Sequence, residues 1–180
     1  FTLVDEGGTN GGIYAVNATD GLTEIWAHAT IFTSDGAFWW GAPSVHGDTL
    51  FAATEGNDAD YSQYPPYLIA VNKHDGSLLW KFNNSENFVF ERSMPATYAG
   101  KVYAAATDFS NSRVYAFDEA TGQLEWQSAL LDGSMWSSPS VADSKVVMGT
   151  TAHLYTFNTE NGSTLWSHDF DSTYYGLPAL

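Results

Sequence analysis

The residues that could do chemistry in this chain are few, and most are arranged in ways that argue against catalysis. The five histidines, His28, His46, His74, His153 and His168, are scattered, with no two at metal-ligand spacing on one element, and they read as surface or turn residues. There is no cysteine, so thiolate catalysis, Cys-based zinc sites and disulfides are excluded. No Gly-x-Ser-x-Gly, phosphate-loop or dinucleotide fingerprint is present, and nothing in the sequence brings single Ser, His and Asp residues together as a triad. One acidic stretch, Glu55-Gly56-Asn57-Asp58-Ala59-Asp60-Tyr61 running on to Pro65-Pro66, offers the carboxylate and amide oxygens that Ca²⁺ prefers, with Glu55, Asn57, Asp58 and Asp60 as ligands. It does not match an EF-hand loop, and acidic loops abound in this sequence.

A more distinctive set is aromatic. Trp40, Arg92, Trp136 and Tyr175 each stand three residues before a proline, with Phe38, Trp39, Phe88, Phe90 and Tyr174 nearby. Flat rings with one guanidinium can stack on a sugar, a quinone or a peptide aromatic. Trp39, Trp40, Arg92, Trp136 and Tyr175 therefore define either a ligand or partner face or, as buried aromatics commonly are, core that seals gaps between sheets.

The elements that must position these residues repeat. Tyr14-Ala15-Val16-Asn17, Ile69-Ala70-Val71-Asn72, Tyr115-Ala116-Phe117-Asp118 and Tyr155-Thr156-Phe157-Asn158 are each followed, seven residues after their first member, by a glycine: Gly21, Gly76, Gly122 and Gly162. A tryptophan follows each glycine, at Trp26, Trp80, Trp126 and Trp166, four residues on in three copies and five in the first. Large–small–large alternation makes a strand, Asn or Asp opens a turn, and Gly supplies the positive φ of the return, so each copy is a hairpin. A second unit lies between these hairpins: Pro43-Ser44-Val45-His46-Gly47-Asp48-Thr49-Leu50-Phe51, Pro95 to Tyr103 and Pro139 to Val147, each two short strands about a tight turn. Two hairpins make four strands, and glycine-to-glycine periods of 55, 46 and 40 residues bracket one propeller blade.

The run Tyr115-Ala116-Phe117-Asp118-Glu119-Ala120-Thr121-Gly122-Gln123-Leu124-Glu125-Trp126 resembles the tryptophan-docking motif of pyrroloquinoline-quinone-type (PQQ-like) β-propeller repeats. That family includes quinoprotein alcohol dehydrogenases and the propeller lipoprotein of the outer-membrane β-barrel assembly machinery. The resemblance implies an all-β propeller in which Trp26, Trp80, Trp126 and Trp166 wedge between neighbouring blades near the motif's Ala and Gly. The late arrival of Trp26 and the substitution of Thr156 for Ala imply less regular docking in the first and fourth blades.

The expected repeat units are about 1–29 with 177–180, then 42–83, 94–129 and 138–169, sixteen strands in all. Four blades' worth of strands make either a closed four-bladed ring or half of an eight-bladed one, completed by a second copy (a homodimer) or by further sequence. The chain opens on Phe1-Thr2-Leu3-Val4, with neither an initiator methionine nor a signal peptide, and reads as a mature or excised piece of something longer.

Charge narrows the partners. Six Lys and Arg stand against 21 Asp and Glu, a formal net charge of −15 that repels nucleic acid and anionic membrane surfaces. No apolar run approaches the roughly 18 residues a spanning helix needs. Acids spread over every repeat resemble the surfaces of proteins from salt-loving archaea, and the sequons at Asn17, Asn83 and Asn161 fit an extracellular or cell-surface protein. The expected function is a non-enzymatic scaffold that binds a protein or polymer and needs no cofactor. The resemblance leaves a fragment of a PQQ- and Ca²⁺-dependent alcohol or sugar dehydrogenase as the alternative, and a glycan-binding lectin as a second. None of the dehydrogenase family's cofactor residues carries over onto positions here.

Overall fold

The computed structural model of the chain describes residues 2–4, 12–21, 23–28, 41–54, 65–84, 86, 88–90 and 93–170. Among them every regular element is a strand, and no helix is long and apolar enough to cross a membrane. The fold is an all-β propeller type built from antiparallel blades, arranged in two units, 1–91 and 92–180.

In the first unit, β1 (Thr2–Val4), β2 (Gly12–Val16) and β3 (Glu24–His28) form a three-stranded sheet, and β4 (Ser44–His46), β5 (Thr49–Ala53), β6 (Tyr67–Asn72) and β7 (Leu78–Asn83) form a four-stranded meander. Ile13, Ala15 and Trp26 of the one pack against Leu50, Ala52, Ile69 and Val71 of the other. The second unit pairs β8 (Ala96–Tyr98), β9 (Lys101–Thr107), β10 (Asn111–Asp118) and β11 (Leu124–Gln127) with a second meander of β13 (Ser140–Ala142), β14 (Lys145–Gly149), β15 (His153–Asn158) and β16 (Thr164–Asp169). Its core joins Tyr103, Ala105, Val114, Ala116 and Trp126 to Val146, Met148 and Phe157. In both units the alternating positions of one sheet meet those of the next face to face, so each hairpin buries its apolar set only when its neighbour is present.

One strand departs from the expected pattern. β12 (Leu131–Asp132) adds a fifth strand to the β8–β11 sheet by pairing with the start of β10. Sixteen strands are present among the described residues, but β12 supplies one of them, and the strand expected at 177–180 lies outside those residues.

The hairpin turns follow one rule. Asn17, Asn72, Asp118 and Asn158 each accept, on their side-chain oxygen, the N–H two residues on. Gly21, Gly76, Gly122 and Gly162 then take φ values of +64°, +69°, +70° and +68°, and each donates its N–H back to the Asn or Asp carbonyl. At Asp118 the Thr121 hydroxyl adds a further donor and holds the carboxyl below its ordinary range.

A bulge follows in all four hairpins, and beyond it the small residue faces the tryptophan: Ala15 and Trp26, Ala70 and Trp80, Ala116 and Trp126, Thr156 and Trp166. The extra residue in the first copy is absorbed before the strand resumes: Asn17 N–H reaches Thr23 O, six residues on, where Asn72, Asp118 and Asn158 reach only five. Trp26 therefore arrives in register.

Thr156 stands out within this scheme. It is fully buried and its hydroxyl has no hydrogen-bond partner, at a position that is alanine in the other three repeats. Thr156→Val keeps the volume and removes the orphaned hydroxyl, and is expected to stabilise the fold by about 1 kcal/mol. In a thermal melt that is a rise of roughly 2–4 °C; an unchanged or lowered midpoint would count against the buried-hydroxyl account.

Candidate functional site

The segment from Ser128 to Ser138 connects the two sheets of the second unit and carries the one member of the aromatic face that falls among the described residues. Trp136 is 45% exposed, while its neighbour Met135 is fully buried and Leu131 nearly so. Leu130, also exposed, lies on the same segment.

Small hydroxyls hold this segment in place. From the β9–β10 side, Ser112 Oγ donates to Gly133 O at 2.8 Å, and the Thr107 hydroxyl lies 3.4 Å from Ser134 Oγ. From the β14–β15 side, Thr150 Oγ1 donates to Asp132 O at 2.8 Å, Thr151 N–H donates to Ser134 O at 2.8 Å, and Ser134 N–H donates to Thr151 Oγ1 at 3.1 Å. Ser137 Oγ donates to Gly149 O at 2.7 Å and receives Gly149 N–H at 3.1 Å, and Ser138 Oγ accepts Met94 N–H at 2.8 Å. Arg113 donates to Ser128 O at 2.9 Å. At Gly133 (φ +89°) an added Cβ would stand 2.9 Å from both the Thr150 and Thr151 hydroxyls, so only glycine fits the approach. The result is an aromatic side chain presented from a backbone that is pinned on both sides. An exposed ring held in this way is chemically suited to stacking and apolar burial, with little entropy of its own to lose.

Next to the segment, Tyr155 stacks on Phe157 and lies obliquely against His153, and burial pushes its phenol above the ordinary range. His153 Nε2 is 3.1 Å from Asp169. This is a packed ring stack edged by one histidine–carboxylate contact. Among the described residues no three His, Cys, Asp or Glu side chains come close enough together to hold a metal ion.

The other aromatic candidates divide. Phe88 and Phe90 are buried, and Phe90 meets Phe82 edge-on with centroids 6.4 Å apart. Phe38, Trp39, Trp40, Arg92, Tyr174 and Tyr175 lie outside the described residues, as do Glu55, Asn57, Asp58 and Asp60. Of the sequons, Asn83 and Asn161 are exposed and Asn17 is half-buried in its turn.

The four repeat tryptophans are not alike. Trp26, Trp80 and Trp126 are each 8% exposed, whereas Trp166 is 47% exposed. Trp26 Nε1 donates to Lys73 O at 2.9 Å, and Trp126 Nε1 donates to Thr159 O at 2.9 Å. In both cases the acceptor is the residue just after the turn-opening Asn of the next sheet. That residue's own N–H is tied to the other tight turn of its sheet, Lys73 to Asp48 O and Thr159 to Ser144 O. Tyr103 lies against Trp126 with centroids 5.9 Å apart and directs its hydroxyl to the same Thr159 carbonyl at 3.4 Å. Gly162 completes the seat: a Cβ there would stand 2.4 Å from the Trp126 ring.

Sequence reasoning missed Lys73 and Thr159 because they act through the main chain and leave no residue-type signal. It missed the hydroxyl clamp because isolated Ser and Thr are common in turns.

The family model of outer membrane protein assembly factor BamB matches residues 9–175. The crystal structure of BamB from Moraxella catarrhalis superposes with a TM-score of 0.65 at 19% identity, over 92% of this chain and 44% of that one. The computationally designed Ika8 protein gives 0.62 at 12% identity, over 86% of this chain and 42% of that one. The quinohemoprotein alcohol dehydrogenase ADHIIG from Pseudomonas putida HK5 gives 0.54 at 21% identity, over 72% of this chain and 20% of that one. This chain thus spans less than half the length of the solved BamB structure, and at these identities the likeness is one of fold. No curated protein matches the chain.

Proposed function

The chain belongs to the family of outer membrane protein assembly factor BamB, and from that premise we propose that it is a non-enzymatic scaffold, exported from the cytoplasm, that binds a protein partner. The observation that carries this reading is Trp136, 45% exposed on a segment clamped by hydroxyls from both flanking sheets. A rigid, exposed tryptophan is the kind of anchor on which protein-binding hot spots are built. The family's description supports an outer-membrane protein chain as the client. The negative surface, −15 over the whole chain, favours a client segment that is apolar or basic.

The test is a titration monitored by tryptophan fluorescence, with three probes in parallel: an unfolded outer-membrane β-barrel polypeptide, a panel of oligosaccharides, and pyrroloquinoline quinone with Ca²⁺. Saturable binding of the polypeptide is expected. Trp136→Ala should weaken that binding by about tenfold or more while leaving the melt within about 0.5 kcal/mol, since the side chain is largely exposed. Binding of the quinone alone would replace this reading with the dehydrogenase one, and binding of an oligosaccharide alone with the lectin one.

A further inference from the structure

Two halves of one contact stand at opposite ends of the described chain. Trp166 has the register of Trp26 and Trp126, facing its partner Thr156 after the same bulge, yet it is 47% exposed where those two are buried. The strand that carries it, β16, is exposed along its length and includes Leu165, a second exposed apolar side chain. Gly21 has the left-handed φ of Gly162, +64° against +68°, but nothing lies within 4 Å of where its Cβ would be, whereas the Trp126 ring presses on Gly162 at 2.4 Å. Ala18 follows Asn17 as Lys73 follows Asn72 and Thr159 follows Asn158. Its carbonyl therefore occupies the position that accepts an indole N–H at Lys73 and Thr159.

We propose that Trp166 of one copy docks on the Asn17–Gly21 turn of a second copy, its Nε1 donating to the Ala18 carbonyl and its ring covering Gly21. Two such contacts, related by a twofold axis, would join the chains head to tail and tail to head, adding four blades' worth of strands to four. The occupant is specified by the contact itself: an indole seat needs a positive-φ glycine and an outward carbonyl three residues before it, and this chain carries an uncovered one. Each copy carries −15, so association is opposed at low salt and strengthens as the Debye length falls to roughly 3 Å near 1 M salt. The inference is independent of the partner bound at Trp136.

Sedimentation equilibrium of the chain across a range of protein concentrations in 1 M salt tests it. The wild-type chain is expected to reach twice its 19.6 kDa mass. Trp166→Ala should remain folded by circular dichroism, since its side chain is half exposed, and should weaken dimerisation on the order of 100-fold because both contacts are lost. Trp166→Phe, which keeps a ring but no N–H, should fall between the two. Gly21→Ala should block association through the added Cβ. A wild-type chain that stays monomeric at every concentration overturns the proposal, whether its Trp166 emission is that of a solvated or of a buried indole, and so does a Trp166→Ala chain that dimerises as tightly as wild type.

Discussion

Trp126→Ala is expected to lower the stability of the chain by about 3–5 kcal/mol, the range for emptying a large aromatic site. The indole is nearly buried, packs on Tyr103, covers Gly162 and donates to Thr159 O, so truncation opens a cavity between two sheets and strips one carbonyl of a partner. Against a typical total of about 5–15 kcal/mol, that loss consumes a large share of the margin. Trp126→Phe keeps most of the apolar contact and loses the N–H donor, and should cost less than the alanine variant. Trp166→Ala provides the control: the same residue type in the same register, but half exposed, should change the monomer's stability by less than about 1 kcal/mol. Urea unfolding of the three variants under monomeric conditions reads the difference, and equal losses at 126 and 166 would contradict the burial argument.

Gly162→Ala is expected to be strongly damaging for the addition of a single methyl. Two costs add. A non-glycine residue at φ +68° pays roughly 1–2 kcal/mol for the left-handed conformation, and the new Cβ would stand 2.4 Å from the Trp126 ring, which must move out of its seat. Overpacking of this kind adds about 1–3 kcal/mol, for a total of roughly 2–5 kcal/mol. Gly100→Ala separates the two terms, because Gly100 also has positive φ (+77°) but nothing within 4 Å of its Cβ position, so only the backbone cost applies. Chemical denaturation should therefore rank Gly162→Ala well below Gly100→Ala; the reverse order would show that the indole yields easily and that the seat is soft.

Much of this architecture was legible in the sequence, and the reason is periodicity. Alternation around Ala15, Ala70, Ala116 and Thr156, the turn-opening Asn or Asp, and a glycine seven residues after each start set the strand and turn of all four hairpins, because each rests on local conformational preference. β12 was not legible: two residues that pair with the start of β10 carry no pattern of their own and are recruited by tertiary contacts. The lag of Trp26 misled for a related reason. Counting from the glycine treats the turn as rigid, but the extra residue is taken up before Thr23 and the bulge then restores the phase. At the site, Trp136 was identifiable as an aromatic three residues before a proline, but its exposure was not, since aromatic residue type does not separate exposed rings from packed ones. Phe88 and Phe90, from the same neighbourhood of sequence, are buried. What distinguishes Trp136 is the set of Ser and Thr hydroxyls that hold its segment, drawn from β9, β10, the turn between β14 and β15 and the segment itself, which only the folded chain brings together.

The two indole acceptors described above are a lysine and a threonine, yet they perform one task, because what the ring engages is a carbonyl that every amino acid possesses. Recognition between successive modules is thus written in the peptide backbone and in one obligatory glycine, and places almost no demand on the identity of the residue supplying the oxygen. Modules joined in this way can be duplicated, shuffled or fused during evolution without matched changes on both sides of the new junction.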